Sequence, residues 1–331
     1  MTWFEDLTGF PEKNPEQVRK NLSLDGSTLV SRVNGRELTC GLLETPTLAE
    51  LRERVSSVER GGRKITVREV VADTQILHAD PANAGSLFQV ASQFNLLEMV
   101  SPNVTPEQGV GIYENDFTQG PACAIAGGAG TIYRNYFVPV NGRVGQAVDN
   151  QIDCLVDIGK ALGNTDNRLW RMCNGYALPS RDGLLEISSR LRSLHEDERD
   201  ELRKLLRIGI QWDTQVTLNE SSHLVSQAYC SALPVAYSSL SAHLWQHFAR
   251  LVLEASYEAA ICAAILNSEN TGNNTVYLTL IGGGAFGNEI DWILDAIKRV
   301  LMLYAEHNIN VAIVSYSSSK PHVRQLVSEF S

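Results

Sequence analysis

Two stretches of this chain carry residue types able to handle a charged ligand. The first is Val276-Tyr-Leu-Thr-Leu-Ile-Gly-Gly-Gly-Ala-Phe-Gly-Asn288, an apolar run that ends in Gly282, Gly283 and Gly284 and continues through Ala285, Phe286, Gly287 and Asn288. Glycines here leave the amides of Gly283 to Gly287 free to point at an anion with no side chain in the way, and a pyrophosphate suits such a loop. Three consecutive glycines cost backbone entropy at each position, which a plain turn seldom needs. The second stretch runs from Tyr113 through Glu114, Asp116, Phe117, Thr118 and Gln119 to Ala124, with Glu98 upstream. It is an acid-bearing loop that leads into a small-residue helix, Ala124–Gly130. The first turn of that helix is a second anion site, with Asp116 to Gln119 hanging over it. Asp116 also suits an Asx turn or a helix N-cap.

These stretches need a scaffold, and the pattern along the chain supplies one. Strand-like runs at Ile65–Val71, Ser86–Ala91, Leu206–Thr217, Leu224–Ala232, Val276–Ile281 and Val311–Tyr316 alternate with helical patterns. The helices are expected at Pro121–Phe137, Ser193–Lys204, Ala242–Leu266 and Glu289–Ala305. Such alternation predicts a three-layer α/β/α domain whose ligands sit at the carboxyl ends of strands. Residues 1–62 read as an amino-terminal extension packed on the core, with a strand at Ser27–Arg32, a helix at Leu48–Glu59 opened by Pro46-Thr47, and a break at Gly61-Gly62. Residues 63–331 form the main domain.

A net charge of -10 disfavours a nucleic-acid backbone as partner. Six scattered cysteines without CxxC pairs predict reduced thiols and no zinc site. His243 and His247 share a helix face but lack a third ligand, so no metal is expected. With no signal-like amino terminus and no long apolar run, a soluble cytoplasmic protein without a membrane partner is the expectation. Gly282-x-Gly284-x-x-Gly287 also spells a dinucleotide fingerprint. A Rossmann domain, however, places it after the first strand and needs an acid about 20 residues on, where this chain has Ser315-Tyr316-Ser317.

The order of a strand ending in Asp73-Thr74, a second strand followed by Phe94-Asn95, a loop, a helix, and a late glycine loop before a final strand resembles the macrodomain superfamily. The Gly-Gly-Gly-Ala-Phe-Gly-Asn form is similar to the loop of poly(ADP-ribose) glycohydrolases. The resemblance implies a macrodomain-like mixed sheet that binds ADP-ribose as ligand or product and needs no further cofactor. It implies that Asp73, with Thr74, holds the adenine and that Asn95, beside Phe94, lies near the distal ribose. Gly282, Gly283, Gly284, Ala285, Phe286, Gly287 and Asn288 would wrap the diphosphate. Two departures stand out: Leu96-Leu97-Glu98-Met99 replaces the glycine triplet after the Asn, and the paired glutamates are absent. The acids Asp116, then Glu114 and Glu98, are the candidates for catalysis, and Thr118 and Gln119 beside them are candidates for ligand binding. The implied activity is a hydrolase that frees ADP-ribose from a modified protein, ubiquitin-like or arginine-linked, by cleaving the glycosidic bond at the distal ribose. A non-catalytic ADP-ribose reader is the alternative, and an NAD-dependent oxidoreductase a more distant one.

Overall fold

The computed structural model describes residues 2–58 and 64–330. The expected break at Gly61-Gly62, the last residue of the Leu48–Glu59 helix and the boundary between 62 and 63 lie outside them.

A seven-stranded mixed sheet organises the chain, in the order Leu42–Glu44, Gly209–Gln215, Leu224–Ser231, Leu87–Ser92, Thr275–Leu278, Asn310–Ser315, Thr66–Val71. The last five strands are parallel and the first two close one edge antiparallel. Helices cover both faces, giving three layers. On one face the 30-residue helix Ala242–Thr271 packs against Leu48–Ser56, Arg181–Ser193 and Ile290–Leu303. On the other lie Thr74–Ala79, Gln119–Ala126 and Gly128–Tyr136. Buried on both sides, the parallel strands read as continuous apolar runs: Val90 faces the larger core, while Phe88, Tyr277 and Ala312 face the smaller one.

Local signals explain most boundaries. Thr47 and Glu50 form a reciprocal capping box, the Glu50 amide donating to Thr47 Oγ1 at 3.2 Å and the Thr47 amide to Glu50 Oε2 at 2.7 Å, so that helix starts at Leu48. The helix expected over Pro121–Phe137 is instead two, Gln119–Ala126 and Gly128–Tyr136. Thr217 causes the break: its amide takes the Ala126 carbonyl at 2.9 Å, a carbonyl a continuous helix would use itself. The charged run Ser193–Lys204 likewise spans a junction, between Arg181–Ser193 and Glu196–Arg203, the second capped by Glu198 reaching back to the His195 amide.

The amino-terminal residues do not stand apart. Phe4, Leu7, Phe10 and Val18 share a core with Leu97, Tyr113, Ile132 and Tyr136, while Leu48, Leu51 and Val55 join the main one. All six cysteines are free. Among the described residues no helix is long and apolar enough to cross a membrane.

Candidate active site

Parallel strands part where backbone pairing stops. Leu87–Ser92 pairs with Leu224–Ser231 along its whole length, but with Thr275–Leu278 only at Val276 and Tyr277. Beyond that point the amide side chain of Gln119 stands in for the missing neighbour, Nε2 donating to the Gln89 carbonyl at 2.9 Å and Oε1 accepting from the Ala91 amide at 2.8 Å. A cleft opens there, at the carboxyl ends of the strands. Its wall includes Glu98, Asp116, Thr118, Gln119, Gly282, Gly284, Ala285 and Phe286 from the sequence candidates, joined by Met99, Val100, Tyr176 and Tyr237.

One wall is the glycine loop. Gly282 adopts φ 76°, and a Cβ there would lie 2.5 Å from that of Ala232, so only glycine fits. The bend is stapled by Asn288, whose Nδ2 donates to Leu233 O at 2.9 Å and Gly282 O at 3.2 Å. Not every amide expected to face a ligand is free to do so. Those of Gly283, Gly287 and Asn288 are spent on Leu280, Gly284 and Gly282 carbonyls, whereas those of Gly282, Gly284, Ala285 and Phe286 have no hydrogen-bond partner among the described residues.

Opposite stands Glu98. Its side chain is 1% exposed and its two oxygens find no hydrogen-bond partner among the described residues. Arg134, itself buried, brings Nη2 to 3.8 Å of Oε2, a charge neighbour rather than a hydrogen bond. The guanidinium is only partly committed elsewhere: Nε donates to Leu96 O at 3.0 Å, Nη2 to Thr131 Oγ1 at 3.0 Å, and its carbon lies 3.6 Å above the Tyr229 ring, while buried Nη1 has no hydrogen-bond partner among the described residues. Burial raises the Glu98 carboxyl to about 8 against the opposing charge of Arg134, and so favours the protonated form at neutral pH. Gly120 makes room for it, since a side chain at that position would strike the Ala91 carbonyl and come within 3.2 Å of Glu98 Cγ.

Asp116 lies on the same wall, its Oδ1 accepting the Thr118 amide at 2.9 Å just ahead of the helix. Tyr176, Tyr237 and Phe286 form an aromatic triangle with ring centroids 5.1 to 5.5 Å apart. Tyr176 is fixed by its hydroxyl donating to Met99 O at 2.6 Å. Phe117, 95% exposed, stands between Asp116 and Thr118 at the mouth.

Several sequence candidates lie elsewhere. Phe94 is a core residue. Asn95 is fully buried, its Nδ2 donating to Gln151 Oε1 at 2.8 Å and its Oδ1 accepting the Leu97 amide at 3.1 Å, so it shapes the loop and is not on the cleft wall. Glu114 accepts the Trp3 amide at 3.1 Å and is also off the wall. Asp73 caps the Thr74–Ala79 helix, Oδ1 accepting the Gln75 amide at 2.7 Å, and Thr74 is buried beneath it. Asp73 follows an edge strand that is second neighbour to Thr275–Leu278 and parallel to it, so both it and the glycine loop lie at the same end of the sheet. Between them, after Asn310–Ser315, stands Tyr316, 70% exposed.

Sequence reading missed Tyr176, Tyr237, Arg134 and Tyr316. The Asn174-Gly175 pair could have placed Tyr176, for it is the turn of the hairpin Trp170–Cys173/Tyr176–Pro179 with φ 46° and 80°. Nothing local marks Tyr237, on the wall, or Arg134, beside Glu98, which tertiary packing brings there, while exposed Tyr316 lies off the wall.

No protein-family model and no curated protein matches the chain. Among solved structures it is similar to the poly(ADP-ribose) glycohydrolase of Thermomonospora curvata, at 10% identity over 96% of this chain and 96% of that one, TM-score 0.47. A second similar structure is the poly(ADP-ribose) glycohydrolase of Deinococcus radiodurans in complex with ADP-ribose, at 9% identity over 87% of this chain and 94% of that one, TM-score 0.45. The superpositions are loose and the identities low.

Proposed function

We propose that the chain is a hydrolase that releases ADP-ribose from a modified protein by cleaving the glycosidic bond at the distal ribose. One observation carries this reading: a buried carboxyl faces, across one cleft, a glycine loop with four amides that have no hydrogen-bond partner among the described residues. The amides of Gly282, Gly284, Ala285 and Phe286 suit a diphosphate. The aromatic triangle would cover an apolar face of the ligand. Asp73 keeps Oδ2 for an adenine amino group, and the exposed Tyr316 ring lies on the way to it.

Glu98 is then the general acid that protonates the leaving atom, and Asp116 the carboxylate that takes a proton from the attacking water. The C1 bond to the carrier breaks, the water hydroxyl joins C1, and the carrier leaves with the proton from Glu98. Positive charge building at C1 is offset by Asp116. Calorimetry with ADP-ribose, together with chromatography of ADP-ribose released from an ADP-ribosylated protein, tests the proposal. Binding with release supports it, binding without release makes the chain a reader, and neither would end it.

A further inference from the structure

Resting on that reading, we infer that Glu12 and Trp3, in the amino-terminal segment, are positioning residues for the reaction. Both proposed reacting carboxyl groups sit on residues 93–118, which return from Leu87–Ser92 to the Gln119–Ala126 helix with no strand and only the short turns Pro106–Gln108 and Gly111–Asn115. Such a segment holds a geometry only if something outside it pins the backbone.

Glu12 does so. Its Oε1 accepts the Val110 amide at 3.0 Å and the Tyr136 hydroxyl at 2.6 Å, and its Oε2 accepts the Gly111 amide at 2.6 Å. Trp3 adds a second fastening, Nε1 donating to Val110 O at 3.1 Å and its amide to Glu114 Oε2 at 3.1 Å. The turn so held carries Tyr113, buried in the same core as Phe4 and Leu7, and the Tyr113 hydroxyl accepts the Glu98 amide at 3.0 Å. Three residues past Tyr113 the chain delivers Asp116. A single carboxylate thus fixes the backbone of the turn that locates both acids. Three donors on two oxygens demand an acceptor at each; the amide of a glutamine would turn N–H against N–H at one of them.

Glu12→Gln should lower kcat roughly 10²-fold while leaving the ADP-ribose Kd within about twofold, because the glycine loop is untouched. Trp3→Phe, which keeps an aromatic side chain and loses the indole N–H bond to Val110 O, should move kcat the same way by less and stands in if Glu12→Gln fails to fold. Glu50→Gln removes a carboxylate cap in the same extension far from the cleft and should leave kcat unchanged. Hydrogen exchange over residues 110–116 should quicken in Glu12→Gln with no ligand present. Unchanged exchange overturns the inference, as does quickened exchange with wild-type kcat. Failure of the wild-type chain to bind ADP-ribose would sink the functional reading alone; the exchange measurement still decides whether Glu12 holds the turn.

Discussion

Glu98 owes its proton to burial, and that has two measurable consequences. A general acid with a pKa of about 8 works while protonated, so turnover should hold at neutral pH and fall along an alkaline limb centred near 8. Glu98→Gln should cost about 10² to 10⁴ in kcat and abolish that limb, with ADP-ribose affinity kept. Stability moves with the same proton. The folded carboxyl sits well above the unfolded value of about 4.3, so its contribution is fully present below that pH and is lost as pH rises toward 8. Glu98→Gln, which mimics the protonated form, should therefore gain on the wild type in denaturation midpoint between pH 5 and pH 8. A difference that is flat with pH would show that Glu98 ionises normally.

The glycine loop and the helices around the cleft are the next scale. Gly284 has a negative φ and nothing within 4 Å of the position a Cβ would take. Gly284→Ala should leave the thermal midpoint nearly unchanged yet weaken ADP-ribose binding by about tenfold or more, seen by calorimetry, since the methyl would stand where the ligand must approach. The loop was legible in the sequence because glycine triplets have few other uses, and the acid-bearing stretch because it departs from apolar patterning. Which acid faces the cleft was not legible. Glu114, Asp116 and Glu98 look alike in one dimension, and only the folded chain assigns Glu114 to Trp3 and buries Glu98 beside Arg134. Asn95 misled for the same reason: an Asn after a strand suits a ligand or a loop brace equally, and here Gln151 and Leu97 claim it. The split of the Pro121–Phe137 helix depends on Thr217, which is 91 residues from Ala126, so no local pattern could announce it.

Across the whole molecule, the face opposite these helices is tied together by charge. Glu258, 2% exposed, accepts from Arg52 Nε at 2.6 Å and Arg299 Nη1 at 2.6 Å, while Asp200 meets Arg52 Nη1 at 2.6 Å. This joins the Leu48–Ser56 and Ile290–Leu303 helices to the long central one. Glu258→Gln should cost about 3 kcal/mol in chemical denaturation without altering ADP-ribose affinity, because two arginines lose their buried partner. Arg52 holds Asp200 at about 2, so its contribution is present above the unfolded value of about 3.9 and is lost as pH falls toward 2, making this face a point of acid sensitivity. The cleft on the other side is an unlaced seam. Two neighbouring strands could zip further, but the Gln119 side chain already occupies the backbone groups at Gln89 and Ala91 through which they would do so. The width of the ligand's berth is therefore set by one amide borrowed from a helix, and any tilt of that helix would translate directly into the gap between glycine loop and acid.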